Sequence, residues 1–257
     1  MNTTALSDQT PDFLKLLAHD LRWSLVAALA RSDHRVRELV WLLDQPMNLV
    51  SYHLKQLRDR HLVTERRSSA DGRDVYYSLD LDLLRARYLA AGATLHPALR
   101  SGDSAHADDL QDRPLTRVLF LCTHNSARSQ MAEGIVRHLS GGRVASFSAG
   151  SQPAEVHPDA VRAMAAIGID ISQQQSKHLD TFADQSFDFI ITVCDRVREA
   201  CPIFPDDPEQ IHWSFADPAV VEDASARERA FQQTAQQLVT RTRHLLTLIE
   251  RQPRGNP

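Results

Sequence analysis

The sequence predicts two domains of different class: a mostly α N-terminal domain that closes with a β-hairpin, and an α/β C-terminal domain built on a four-stranded parallel sheet. Three observations predict this. Apolar residues recur at helical spacing up to Arg60 and give way to two short β-like runs around an Asp-Gly pair. Residues 97–114 are rich in Pro, Gly, Ser, Ala and Asp and lack periodic apolar positions, which is linker composition. From Arg117 onward strand-like and helix-like segments alternate, as parallel strands joined by helical crossovers require. The expected boundaries are 1–96, 97–114 and 115–257.

At 257 residues, 42% hydrophobic and 24% charged, the chain has room for two ordinary globular domains. A formal net charge of -4 argues against binding nucleic acid through bulk charge, so any DNA contact has to come from a local patch. No basic-then-apolar leader precedes Phe13 and no apolar run approaches a membrane span, so a cytoplasmic protein with no membrane partner is expected. The three cysteines, Cys122, Cys194 and Cys201, all lie in the C-terminal half. An odd number without an export signal points to thiol chemistry in a reducing compartment, not to a disulfide framework.

In chain order, Phe13 to Ala30 carries Leu14, Leu17, Leu21, Leu25 and Leu29 at helical spacing and is expected to form one amphipathic helix. Val36 to Leu43 is a short second helix. Asp44, Gln45 and Pro46 make a turn, Asn48 is a plausible cap, and Leu49 to Arg60 is a third helix with Leu54 and Leu57 inward and Tyr52, Lys55 and Arg58 outward. Leu62 to Arg67 and Arg73 to Leu79 read as strands joined through Ser68 to Gly72. Two helices about a tight turn, followed by a hairpin, make a winged helix-turn-helix.

Through WLLDQPMNLVSYHLKQLRDRHLV and ERRSSADGRDVYYSL, residues 12–95 resemble the ArsR-like family of winged-helix repressors. The resemblance implies that Asn48, Ser51, Tyr52 and His53 face the major groove of operator DNA and that Lys55, Arg66, Arg67 and Arg73 meet phosphates. It also implies a homodimer built by the helix Asp82 to Ala93 together with the first helix. One departure stands out: residues 1–100 contain no cysteine, so soft arsenite has no thiolate site there. His19, His34, His53, His61 and His96 lack ligand spacing, and no metal site is expected.

In the second half, the apolar run Val118 to Leu121 ends at Cys122, and helical spacing resumes with Met131, Ile135, Val136 and Leu139. Strand, loop and helix in this order aim the helix N-terminus over the strand's carboxyl end, where anions bind. The loop Thr123, His124, Asn125, Ser126, Ala127 and Arg128 can wrap a tetrahedral oxyanion with backbone N–H groups and an arginine fork. Cys122 then lies beneath the anion. Arg128 and the helix dipole are expected to favour its thiolate, with Ser129 donating to the sulfur. Further strands are expected near Val144 to Ser148, Phe187 to Val193 and Gln210 to Trp213, with helices at Pro158 to Ile167 and from about Ala226 to Ile249.

Residues 116–250 closely resemble the low-molecular-weight protein tyrosine phosphatase superfamily and, within it, the thioredoxin-coupled arsenate reductases. The match is carried by Cys122, Asn125, Ser126, Arg128, Ser129, the SAG at Ser148 to Gly150, the VCDRVREAC at Val193 to Cys201, and Asp217-Pro218. It implies a low-molecular-weight phosphatase-like fold with Cys122 as nucleophile and Asp217 as general acid, Pro218 stiffening the acid's loop. The superfamily's phosphatases wall an aryl ring with aromatic residues after that pair; here Ala219 and Val220 follow.

Cys194 and Cys201 lie seven residues apart across the helix-forming DRVREA. If that segment is helical, their Cα atoms are about 10 Å apart from the rise per residue, beyond the roughly 4.4–6.8 Å of a disulfide. Bonding them requires unwinding. The resemblance implies a relay: Cys122 attacks arsenate, Cys194 attacks Cys122 as arsenite leaves, Cys201 attacks Cys194, and thioredoxin or a similar dithiol reduces the final pair. A DNA-bound regulator that senses arsenic or redox state through these cysteines, and a phosphatase, are the alternatives.

Two positions depart from the usual loop: His124 stands where glycine is common and Ala127 where cysteine is sometimes found. Histidine tolerates positive φ better than most residues, so the loop is expected to keep its form. Some relatives bind potassium beneath this loop. Asn125, Glu133 and Ser148 match that site, but Lys177 stands at its fourth position, so neither potassium nor any other cofactor is expected.

Overall fold

The computed structural model describes residues 10–96, 99, 115–199 and 204–251. They fall into two compact units, one built from the chain before the linker and one from the chain after it, with residues 67–73 counted in the second. Of the expected linker only Leu99 is among the described residues, and Cys201 lies outside them.

The first unit contains α1 (Asp12–Leu17), α2 (Asp20–Leu29), β1 (His34–Arg35), α3 (Val36–Leu43), α4 (Met47–Asp59), β2 (Val63–Arg67), β3 (Val75–Leu79) and α5 (Leu81–Leu95). The single helix expected over Phe13 to Ala30 is instead two. His19 takes extended backbone and its ring accepts the Leu21 N–H at 3.2 Å, starting α2 afresh. Arg22 Nε donates to the Leu16 carbonyl, an acceptor left open by the end of α1.

α3 stops at Asp44, whose φ of 49° is left-handed. Pro46 then sets the entry to α4, so Asn48 lies inside the first turn and does not cap it. Leu21, Leu25 and Leu29 of α2, Leu39 of α3, Val50, Leu54 and Leu57 of α4, and Leu62 form one buried cluster. The short β1, absent from the sequence expectation, pairs antiparallel with β3 through His34 opposite Tyr77 and Arg35 opposite Tyr76, giving a sheet in the order β1-β3-β2. Asp80 caps α5 by accepting the Leu83 N–H at 2.8 Å.

The second unit contains β4 (Thr116–Cys122), α6 (Arg128–Ser140), β5 (Val144–Gly150), α7 (Pro158–Ala165), β6 (Phe189–Thr192), α8 (Asp195–Glu199), β7 (Glu209–His212) and α9 (Ala224–Arg251). The expected four-stranded parallel sheet is present, in the order β5-β4-β6-β7. Val118 to Leu121 are fully buried, as a central strand covered on both faces must be. α6 packs on β4, β5 and α9, and it ends at Gly141, whose φ of 58° supplies a left-handed stop.

The strands register so that Cys122 lies opposite Gly150, Leu121 opposite Thr192, and Thr192 opposite His212. Their carboxyl ends therefore finish together. β5 pairs on one side of β4 and β6 on the other, so the chain reverses its direction of winding at β4, and the crevice outside that strand's end is where such sheets bind ligands. Among the described residues no helix is long and apolar enough to cross a membrane.

Candidate active site

The segment after β4 closes round a hollow, and its carbonyls show why. The Thr123 carbonyl accepts the Gln152 N–H at 2.8 Å, that of His124 the Ala154 N–H at 2.9 Å, and that of Ser126 the His157 N–H at 2.8 Å. The Asn125 carbonyl accepts from Ser176 Oγ at 2.7 Å. Each of these carbonyls is thus turned outward, and in a trans peptide the following N–H turns the opposite way. The Asn125 N–H accordingly points to the Cys122 sulfur, 3.1 Å away. The result is a preformed ring of inward donors at the N-terminus of α6.

Gly150 makes this packing possible. A Cβ there would lie 2.6 Å from the Thr123 carbonyl oxygen, 2.8 Å from Asn125 N and 3.0 Å from the Cys122 carbonyl oxygen. The left-handed residue of the loop is Asn125, with φ 45°, and His124 does not carry positive φ as expected. His124 is exposed at the rim, and its Nδ1 lies 3.1 Å from the Gln152 carbonyl.

Beneath the loop a hydrogen-bond chain runs from Lys177 and Gln130 through Asn125 to two serines. Asn125 Oδ1 accepts from the Lys177 N–H at 2.8 Å and Gln130 Nε2 at 3.0 Å, so its Nδ2 must donate, and it does so to Ser129 Oγ and Ser148 Oγ, both at 2.9 Å. Ser148 Oγ passes its own proton to Glu133 Oε2 at 2.6 Å. Ser129 Oγ, which accepts from Asn125, lies within hydrogen-bond distance of the Cys122 sulfur at 2.9 Å. Glu133 is buried, with Arg137 on one oxygen and the Lys177 ammonium 3.5 Å from the other.

Arg128 is buried at the start of α6. It donates through Nη1 to the Phe215 carbonyl at 3.1 Å and through Nη2 to Asp217 Oδ2 at 2.6 Å. Its Nε–H is buried and has no partner among the described residues. Asp217 stands at the rim and also caps the turn Pro218–Val220 by accepting the Ala219 N–H.

The expectation of a Cys122 thiolate near neutral pH is corrected by this arrangement. Burial pushes the thiol up, the neighbouring Cys194 adds to it, and Arg128 and Ser129 pull down without prevailing. Asp217 already engages the guanidinium charge that the expectation assigned to the sulfur. Cys194 is also a buried free thiol, its Sγ 3.4 Å from Thr123 Oγ1, one residue along from Cys122. α8 begins directly after it.

In the first unit, Asn48, Ser51, Tyr52 and Lys55 are exposed along α4. His53 is not. It shares the inward face with Val50, Leu54 and Leu57, is 3% exposed and packs on His19 with ring centroids 4.2 Å apart, which removes it from the groove-facing set. Burial, with His19 and Arg22 nearby, lowers its pKa. Arg66 is half-buried; Arg67 donates to the Gly72 carbonyl and Arg73 forks onto Asp71.

A family model for the low molecular weight phosphotyrosine protein phosphatase matches residues 117–254. An arsenate reductase of Halalkalibacterium halodurans is 45% identical over 105 residues, which is 41% of this chain and 76% of that protein. An arsenate reductase of Brevibacillus brevis is 39% identical over 128 residues, 46% of this chain and 96% of that protein. A solved structure of an arsenate reductase in the phosphate binding state is 30% identical, covers 52% of this chain and 99% of its own, and superposes with a TM-score of 0.44.

Proposed function

Since the chain belongs to the low molecular weight phosphotyrosine protein phosphatase family, we propose that its second unit is an enzyme that reduces arsenate to arsenite. The observation that carries this reading is Cys194: a second buried thiol beside the loop of the first. Phosphoryl hydrolysis uses one such sulfur, whereas reduction of arsenate needs two electrons and therefore two sulfurs.

The ring of inward N–H groups and the unpartnered Arg128 Nε–H hold the oxyanion. The Cys122 sulfur attacks arsenic as its proton passes to an arsenate oxygen, and Asp217 protonates the departing hydroxide, which leaves as water. Cys194 then attacks the Cys122 sulfur; the electron pair of the breaking S–As bond stays on arsenic, which leaves as arsenite, and a Cys122–Cys194 disulfide remains. Cys201 attacks Cys194, freeing Cys122. A thioredoxin-like dithiol returns two electrons to the Cys194–Cys201 pair.

Lys177 takes the place of a bound cation in this reading, its ammonium meeting the Glu133 carboxylate beneath the cradle, so the reaction runs without potassium. The first unit acts as an ArsR-like winged helix, with α4 presenting Asn48, Ser51, Tyr52 and Lys55 to the major groove of operator DNA and α1 with α5 forming a homodimer face. The support is the order α3, turn, α4, hairpin and the exposure of those side chains.

Arsenate-dependent NADPH consumption with thioredoxin and its reductase tests the enzyme. Turnover by the wild type and its loss in each of Cys122→Ser, Cys194→Ser and Cys201→Ser are expected. Aryl phosphate hydrolysis that survives Cys194→Ser and Cys201→Ser, with no arsenite formed, would make it a phosphatase.

A further inference from the structure

On either side of Cys194 in the chain, Thr192 and Asp195 belong to a polar cluster that none of the steps above uses. His212, at the carboxyl end of β7, is fully buried. Its Nε2 lies 3.2 Å from Asp195 Oδ1, and its Nδ1 lies 2.8 Å from Thr192 Oγ1. A carboxylate only accepts, so Nε2–H is the donor to Asp195, while Nδ1 meets both the Thr192 hydroxyl and, at 3.1 Å, the Thr192 carbonyl. Ser214 Oγ donates to the same Asp195 oxygen at 2.8 Å.

One imidazole therefore grips the chain two residues before Cys194 and one residue after it. Thr192 is the last residue of β6, paired with His212 in the sheet, and Asp195 is the first of α8, where the helix dipole favours a carboxylate. A buried polar group is retained at a cost unless it is fully paired, and here the pairing converges on two residues that bracket a single cysteine.

We infer that His212 is a positioning residue for the relay: by holding Thr192 and Asp195 it keeps Cys194 beside Cys122 while the chain toward Cys201 unwinds. The inference rests on the three-cysteine reading. Without such an anchor, unwinding α8 would carry both cysteines away together and break the order of the exchange. With it, the helix opens from the Cys201 side and Cys194 stays as the fixed point.

The test compares His212→Ala with His212→Gln, whose side-chain amide restores an N–H donor toward Asp195, in the full chain. Three readouts are taken: amide hydrogen exchange of residues 195–198 by mass spectrometry, alkylation of Cys194 in the Cys122→Ser background, and steady-state arsenate reduction. His212→Ala is expected to speed exchange and Cys194 alkylation by about tenfold, the factor carried by one charge-assisted hydrogen bond, and to lower kcat by a similar factor at unchanged KM. His212→Gln is expected to recover most of each. Exchange and Cys194 alkylation in His212→Ala equal to those of the parent would overturn the anchor, and so would a melting temperature drop shared equally by His212→Gln with no recovery. The first two readouts need no turnover, so an inactive wild type would count against the reductase reading and leave the anchor to be judged on them.

Discussion

Arg128 spends one terminal nitrogen on Asp217, at 2.6 Å, and keeps its buried Nε–H without a protein partner. The guanidinium thus holds the group assigned as acid and keeps one buried donor open. Asp217→Asn is expected to keep phosphate affinity within a few-fold while lowering turnover by about 100-fold or more, the usual worth of a general acid. Arg128→Lys loses the planar fork and is expected to weaken phosphate protection of Cys122 against alkylation by at least about tenfold. Equal losses of affinity in both variants would contradict this division of labour.

Burial holds the Cys122 thiol protonated, so its reaction with iodoacetamide in the absence of anion is expected to rise only as pH climbs beyond the ordinary thiol range of about 8.5. The sign for stability follows. The folded state retains this proton more tightly than the unfolded chain, so the contribution is complete below the unfolded value and is lost as pH rises through the folded one. Ser129→Ala removes the hydrogen bond to sulfur and should move the alkylation profile further alkaline. A profile centred below that of free cysteine would show the opposite balance.

Gly150→Ala places a methyl group against three backbone atoms of the loop, with none of them the end of a flexible side chain. Overpacking of this kind costs about 1–3 kcal/mol. A lowered melting temperature is expected, together with loss of phosphate protection of Cys122; a variant that melts lower yet still binds phosphate normally would mean the loop can shift.

Wild-type turnover is expected to be the same in potassium chloride and choline chloride. Lys177→Ala strips Glu133 of one of its two cations. Its activity should fall in choline and recover in potassium, a response that stimulation of the wild type by potassium would make meaningless.

For the first unit, Lys55→Ala is expected to reduce the salt dependence of DNA binding by about one in log–log slope, as loss of one phosphate contact does, measured on a duplex selected from a random pool. His53→Ala should instead lower the melting temperature and leave base preference alone, because the ring is packed against His19.

The parallel sheet and the strand-loop-helix around Cys122 were legible because a buried central strand reads as an unbroken apolar run and because helical spacing restarts after the loop. What escaped the sequence was local and polar. The break at His19 depends on a ring nitrogen capping a helix, which no hydrophobic period reports. The same period places His53 with Leu54 and Leu57, whereas the resemblance to a DNA-binding helix points this polar residue outward. The amides of Gln152, Ala154 and His157 that hold the loop carbonyls leave no mark in side-chain identity at all. The upward direction of the Cys122 shift comes from burial and the neighbouring Cys194, and both are tertiary.

The carbonyls of Thr123, His124, Asn125 and Ser126 are each tied to residues that lie 29 or more positions downstream. The binding ring is therefore shaped from outside itself. A peptide of residues 122–128 would have the right letters and the wrong form, and a transplant into another protein would need Gly150, the run to His157 and Ser176 carried with it as one piece.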